Sequence, residues 1–305
     1  MEVTCVFVII VTYNGKQWYD RCFRGLRESL IPVNVVVIDN ASSDDTLQYI
    51  QTNYPEVHLI TSVSNLGFGQ ANNIGMRYAL DNGADYMFLL NQDAWIEPNT
   101  INELVRIHKE NPGFGILSPM HLNAEKTAIE NGLMHYIADY RITSTDLISD
   151  LYFARLKDVY QTLYVNAAAW LLPRRTLETV GGFDPIFFHY GEDDNYMQRT
   201  HYHGLKIGIC PKIRICHDTE RTVERTNQIS QSDRKILLVS YTNINDKRSI
   251  YEFMLYSLRK ALLKIIRFKF SLAERYLSDA KFIWNMRSKI MESRKKNSQQ
   301  LNTWL

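Results

Sequence analysis

The sequence predicts an α/β fold: a mostly parallel central sheet flanked by helices, followed by a C-terminal helical extension. Three observations predict it. Over the first 120 residues, short runs rich in Val, Ile and Leu alternate with amphipathic segments. The runs are almost continuously apolar, as strands covered on both faces are. Each run ends on polar residues, and sheets of this class hold their ligands beyond the carboxyl ends of the strands.

The elements follow in order. Strands are predicted over VTCVFVIIVTYN (3–14), NVVVIDN (34–40), VHLITSVS (57–64), DYMFLLN (85–91) and FGILSPM (114–120). Between the first two, Trp18, Cys22, Leu26 and Leu30 recur every four residues and mark one face of a helix. Ser42 and Ser43 before Asp44-Asp45 give a capping signal for a second helix reaching about Asn53. GQANNIGMRYALDNG supplies a third, closed by Asn82-Gly83. Residues 121–162 lose the rhythm and read as a variable insertion or hairpin. Order returns over 163–218 as strand, short helix, loop, helix (about 192–203) and strand. Residues 219–235 are polar and read as a mobile linker, and from about Ile236 the chain reads as helical.

The chain has 305 residues, of which 45% are hydrophobic, enough to build a sizeable core. Its net charge of +2 hides an uneven distribution. Residues 247–305 carry 14 Lys/Arg against 4 Asp/Glu, a net +10, which leaves −8 for the rest. A basic tail on an acidic body points to an anionic partner. Cys5, Cys22, Cys210 and Cys216 form no paired pattern, which fits a reducing, cytoplasmic setting. The N-terminal CVFVIIV is seven residues without a cationic leader, a buried strand rather than a signal peptide. Nothing approaches the roughly 18 to 20 apolar residues of a membrane span.

Chemistry concentrates at the strand ends. Tyr13 either packs or lays its ring against a base. Asp39 reads either as a turn-forming cap or as an acceptor for a base N–H or a ribose hydroxyl. Asn91 and Asp93, in MFLLNQDAWIEPN, offer a neutral carbonyl oxygen beside one carboxylate, ligands suited to a hard divalent cation that also bridges diphosphate oxygens. Glu192, Asp193 and Asp194 open a predicted helix after the aromatic run Phe187, Phe188, Tyr190. Three acids exceed what a helix start needs, and one of them could take a proton from an attacking hydroxyl. His217 ends another strand and, as a neutral imidazole, suits Mn²⁺ better than Ca²⁺. The GFGQAN stretch, with Asn72 where a dinucleotide fingerprint has its third glycine, reads as a helix N-terminus approached by backbone.

VIIVTYNG, VVVIDNASSDDT, NLGFGQANNIGMRYA, LLNQDAWI and VGGFDPIFFHYGEDDNYMQR occur in the order seen in family 2 glycosyltransferases. Over about residues 4–218 the chain resembles the rhamnosyltransferase-like and galactofuranosyltransferase-like members. The resemblance implies the GT-A fold, a nucleotide-diphosphate sugar donor, a divalent cation (Mn²⁺ or Mg²⁺) and an inverting reaction. It implies a catalytic domain over 1–218 and an accessory region over 219–305. By motif, Tyr13 and Asp39 would hold the uracil or thymine nucleoside. Asn65, Gly67 and Asn73 would shape the loop and helix near the donor. Asp93 would be the last acid of the DxD metal motif, and Asp193 the catalytic base supported by Glu192. His217, 24 residues after Asp193, stands where relatives place a metal-ligating histidine. Two positions depart from the pattern: Asn91 replaces the leading acid of DxD, and Asn72 stands where many relatives carry an arginine.

In YEFMLYSLRKALLKIIRFKF (251–270), Arg259, Lys260, Lys264 and Arg267 share one helical arc and Leu255, Leu258, Leu262, Ile265 and Ile266 fill the remainder. The segment reads either as a core-docking helix with a solvated basic face or as a peripheral helix drawn to anionic headgroups. The second suits an enzyme that extends a lipid-linked saccharide at the inner face of the cell membrane. No nucleic-acid-binding pattern accompanies the charge. Two other functions fit parts of the sequence. A sugar-nucleotide nucleotidyltransferase would need a basic, Gly-rich phosphate loop near the first strand, which is missing. A non-catalytic nucleotide-sugar-binding subunit would have no need of Asp93, Asp193 and His217 together.

Overall fold

A computed structural model describes residues 4–139, 142–143, 146–219, 229–299 and 303–305. Its strands are β1 (Val6–Thr12), β2 (Asn34–Asp39), β3 (His58–Thr61), β4 (Tyr86–Leu90), β5 (Ala94–Ile96), β6 (Phe114–Leu122), β7 (Tyr160–Thr162), β8 (Ala169–Pro173) and β9 (Lys206–His217). They join in one sheet in the order β3-β2-β1-β4-β8-β6-β9-β5, with β7 on β9. The half from β3 to β4 is parallel throughout. Connections through α1 (Tyr19–Arg27), α2 (Thr46–Asn53) and α3 (Gly67–Asp81) build it. Alternate residues of β1 explain the apolar run: Ile9 packs into one core with Ile38, Met76 and Trp170, while Val8 and Ile10 pack into another with Phe23, Val37 and Phe88.

The other half is mixed. After β6 the chain forms α5 (Asn131–Ala138), α6 (Asp146–Tyr152) and β7, so the segment without rhythm holds defined elements, and α4 (Thr100–Glu110) covers the sheet before β6. β8 then enters antiparallel between β4 and β6, paired through Leu89↔Trp170 and Leu117↔Leu171. An antiparallel strand begins where its parallel neighbours end. The residues just before β8 therefore join the ligand edge, and the Asn91 N–H bonds the Ala168 carbonyl at 2.9 Å.

Three details differ from the sequence reading. Leu30 lies past the end of α1 and is exposed, because Ser29 N–H caps on the Leu26 carbonyl and Pro32 follows. Helix α9 (Ile229–Thr242) starts before Ile236, since Gln, Arg and Lys are good helix formers even where no apolar face announces them. Of the polar stretch read as mobile, residues 220–228 lie outside the described residues.

The short helix α7 (Arg174–Val180) leads by a loop to α8 (Glu192–Tyr202). With α9, helices α10 (Ile250–Ile266) and α11 (Phe270–Asn297) form a layer on that loop. Phe187 from the loop is buried with Leu238, Tyr241, Ile283 and Ile290. Below them Ser293 and Asn297 donate to the buried Asp184 carboxylate, at 2.5 and 2.8 Å. Fully buried Arg199 donates to the carbonyls of Val180 (2.9 Å) and Gly182 (2.5 Å), which satisfies its charge away from solvent.

Candidate functional site

A cleft of about 510 Å³ opens at the carboxyl edge of the sheet. Its lining includes Tyr13, Asn40, Asn65, Gly67, Asn91, Gln92, Asp93, Glu192, Asp193 and His217. Asp39 and Asn73, expected at the donor, are not among the lining residues.

At the carboxyl edge of the sheet, Gln92 ties the ends of β1 and β4 together. Its Oε1 accepts from the Thr12 hydroxyl (2.8 Å) and the Tyr13 N–H (3.0 Å), and its Nε2 donates to the Tyr13 carbonyl (3.2 Å). The Tyr13 ring is left 45% exposed, free to pack on a ligand. Asp39 combines both readings: Oδ2 accepts from the Ser42 N–H at 3.1 Å in a turn, while Oδ1 is buried without a partner. Asn40 organises the next loop, accepting from Leu66 N–H (2.7 Å) and donating to Asn65 Oδ1 (2.9 Å) and the Gly67 carbonyl (3.2 Å). Gly67 has φ +78°, and a Cβ there would stand 1.8 Å from the Phe188 carbonyl oxygen, so only glycine fits. Asn73 faces away from the cleft's lining because both ends of its amide are committed to Phe183. Its Nδ2 donates to the Phe183 carbonyl at 2.8 Å and its Oδ1 accepts the Phe183 N–H at 2.7 Å. It pins the loop that leads to α8 and acts on a ligand only through that loop. Asn72 is buried and donates to Phe68 within α3.

At the other end of the strand order, β5 pairs antiparallel with β9 in the register Ala94↔His217. That pairing is why two residues remote in sequence meet: His217 Nε2 lies 3.3 Å from Asp93 Oδ1. Asn91 Nδ2 is 3.4 Å from the same nitrogen, and Asn91 Oδ1 is buried with no partner. Burial works to lower the pKa of His217, but its hydrogen bond to Asp93 and the charges of Asp93, Glu130 and Asp218 outweigh it, and the net shift is upward. His121 beside it is fully buried and pushed down to about 3, so it is a neutral imidazole.

Of the acids that open α8, Glu192 and Asp193 line the cleft, while Asp194 lines a neighbouring cavity with Lys235 and Val239. Gly191 at φ +93° turns the chain into the helix. Asp193 Oδ2 accepts from the Tyr164 hydroxyl at 3.1 Å and its Oδ1 from the Asp194 N–H at 2.9 Å. Burial raises the Asp193 pKa, and these hydrogen bonds to the carboxylate work against the rise. Glu192 is buried and pushed up to about 8, first by burial and then by the Asp193 charge. Asp194 is raised to about 7 by the same two causes. Of the aromatic run, Phe188 and Tyr190 line the cleft and Phe187 belongs to the helical layer. Trp170 is buried in the core against Phe183 and Tyr196, and Trp95 lies under the Arg21 guanidinium; neither shapes the cleft.

The structure thus brings Tyr13, Asn65, Gly67, Asn91, Asp93, Glu192, Asp193 and His217 to one cleft. Sequence reasoning missed Gln92 and Asn40 as organisers, although both sit in strand-end clusters it had singled out. It also missed the Asn166-Ala167-Ala168 wall, whose place follows from the direction of β8. His121 and Glu130 gave no motif signal.

Residues 7–167 match the model of the family described as Glycosyl transferase family 2. Among curated proteins, the chain is 24% identical to the low-salt glycan biosynthesis hexosyltransferase Agl10 of Haloferax volcanii, over 90% of this chain and 88% of that one. It is 25% identical to the N-acetylglucosaminyl-diphospho-decaprenol L-rhamnosyltransferase of Mycobacterium tuberculosis, over 72% and 77%. Among solved structures, GalNAc-T7 with UDP, GalNAc and Mn²⁺ superposes with a TM-score of 0.60 at 16% identity, covering 95% of this chain and 58% of that one.

Proposed function

The chain belongs to glycosyl transferase family 2, and from that membership and the geometry of its cleft we propose that it is an inverting enzyme. The donor is a nucleotide-diphosphate sugar, a UDP- or dTDP-sugar, and the acceptor a hydroxyl of a growing, lipid-linked cell-surface glycan. The observation that carries this reading is that Asp93 and Asp193, a hundred residues apart, both line one cleft of about 510 Å³.

In this reading Tyr13 packs on the base and Asp39 receives hydrogen bonds at the nucleoside end. Asp193 is the catalytic base. Tyr164 and the Asp194 N–H hold its carboxylate in one orientation. Its raised pKa makes it a better proton acceptor than an ordinary aspartate. The acceptor oxygen bonds the anomeric carbon as its proton passes to Asp193, and the bond from that carbon to the diphosphate oxygen breaks on the opposite face. Glu192, protonated near neutrality, adds no second negative charge beside the base.

The residues at Asp93 fit a divalent cation, Mn²⁺ or Mg²⁺, because the unpartnered Asn91 Oδ1 is an oxygen ligand beside the carboxylate. Such a cation offsets charge on the leaving diphosphate. A glycosyltransferase related to a decaprenol-linked rhamnosyltransferase and a hexosyltransferase of glycan biosynthesis has a natural acceptor in a lipid-linked saccharide. The exposed apolar side chains of α10 and the basic residues among them support peripheral contact with the inner face of the membrane. Among the described residues no helix is long and apolar enough to cross a membrane.

The test is incubation with labelled UDP-, dTDP- and GDP-sugars and Mn²⁺, with and without chelator. Asp193→Asn is expected to lower transfer by roughly a hundred- to ten-thousand-fold while nucleotide binding stays near wild type. Full turnover by that variant would remove Asp193 from the role of base. Binding of the sugar nucleotide by wild type with no transfer or hydrolysis would favour a non-catalytic subunit.

A further inference from the structure

The stretch from Tyr164 to Ala168 leads into β8, and its last three residues line the cleft. It is tied down at both ends. The Tyr164 hydroxyl donates to Asp193 Oδ2 at 3.1 Å and the Val165 N–H to the Met197 sulfur at 3.2 Å, both acceptors being on α8. The Ala167 N–H also reaches the Asp193 carboxylate, where it favours the charged form. The Ala168 carbonyl accepts the Asn91 N–H at 2.9 Å. The stretch is therefore a strap from Asp193 to the end of β4, because β8 runs antiparallel to β4 and starts where β4 ends, in the register Leu90↔Ala169.

Asn166 sits in the middle of the strap, and its side chain is the exception to this bonding. Its Oδ1 is buried with no hydrogen-bond partner. An amide oxygen buried without a partner weakens the fold, so its retention on the wall of a cleft points to a ligand that completes it. The oxygen accepts and cannot donate, so the group that completes it is an O–H or N–H. Beside it, Ala167 and Ala168 present only methyl groups, 7% and 2% exposed as residues, and take up little of the cleft. No other side chain of the strap offers a polar atom along this wall.

The proposed reaction fixes what lies there. The leaving diphosphate is at Asp93 and the attacking hydroxyl at Asp193, so the transferred sugar lies between them, along the strap. Resting on that reading, we propose that Asn166 determines sugar specificity: its Oδ1 accepts the O–H of one ring hydroxyl of the transferred sugar. A sugar with hydrogen in place of that hydroxyl leaves the oxygen unpaired in a buried place, and it is rejected for that reason. The contact is between neutral groups and makes no demand on pH.

The test is isothermal titration of the full chain with Mn²⁺ and no acceptor, using UDP-glucose, UDP-galactose, UDP-N-acetylglucosamine and dTDP-rhamnose beside UDP and dTDP alone. Asn166→Ala is expected to weaken the sugar nucleotide that wild type binds best by roughly three- to tenfold, and UDP or dTDP by less than about twofold. Monodeoxy analogues of that donor locate the hydroxyl. Wild type should lose a similar factor at one ring position, and Asn166→Ala should lose nothing further there. The variant should melt no lower than wild type, since an unpaired group is removed and no bond is broken. A side chain that only braces the strap would instead lower the melt and weaken sugar nucleotide and UDP alike, which would overturn the inference. Unchanged affinity of Asn166→Ala for the sugar nucleotide, or the same deoxy penalty in both proteins, would overturn it too. So would wild type that binds UDP or dTDP but no sugar nucleotide, and the nucleotide site would then still stand. Wild type that binds no nucleotide at all would sink the transferase reading itself.

Discussion

Glu192 is a buried acid whose folded-state pKa lies near 8, raised by burial and by Asp193, well above its unfolded value. The folded protein therefore holds that proton more tightly than the unfolded chain, and stability falls as pH rises from about 4.5 to about 8. Glu192→Gln removes the ionisation. Thermal melts are expected to show little change at pH 5 and a gain over wild type above pH 8; equal pH dependence of the two proteins would count against the burial assigned to Glu192. Asn73 makes the opposite case, a polar residue whose work is structural. Asn73→Ala strands both polar groups of the Phe183 backbone in a buried place, at a cost of roughly 2–4 kcal/mol. Denaturant unfolding should register that loss. At this scale the sequence singled out the acids and amides at the strand ends, but it could not say which of them line the cleft, since Asn65 and Asn73 look alike until their partners are known.

Helix α10 shows what an element can conceal. Its spacing allowed a core-docking face, and Ile250, Phe253 and Met254 near its start do pack with the Phe187 cluster, yet Leu258, Leu262 and Ile266 are 50%, 59% and 63% exposed. The basic side chains Arg259, Lys260, Lys264 and Arg267 lie among these exposed apolar ones. Vesicles containing anionic lipid are expected to bind the protein, and neutral vesicles to bind it weakly. Replacing Leu258, Leu262 and Ile266 together with Gln should weaken binding at least about tenfold without altering the melting curve, because none of the three is buried. Undiminished flotation of that variant would dismiss α10 as the contact.

At the scale of the molecule, the basic C-terminal region is packed onto the loop that precedes α8. Helix α11 supplies Ile283 and Ile290 to the cluster around Phe187, while Ser293 and Asn297 satisfy Asp184 in the loop before the acids of α8. Removing residues 247–305 would expose that cluster and leave the Asp184 carboxylate without these donors. The truncated chain is expected to aggregate or to melt well below wild type in gel filtration and thermal scans, whereas a truncated protein as stable as the full chain would make the packing incidental. Point substitutions in α10 are for this reason the cleaner probe of membrane contact.

The sequence alone determined the parallel half of the sheet, since Val- and Ile-rich runs that alternate with amphipathic helical segments pack as parallel strands covered on both faces. It also determined the polar strand ends and, through an ordered set of motifs, the glycosyltransferase family and its GT-A fold. Tertiary structure decided the rest. That β8 runs antiparallel, that β5 brings Asp93 to His217, and that His121 and Glu130 converge on the same ring are long-range pairings with no local pattern. Local propensity acts over a few residues, whereas these meetings depend on which strand edges are left to pair once the core has closed.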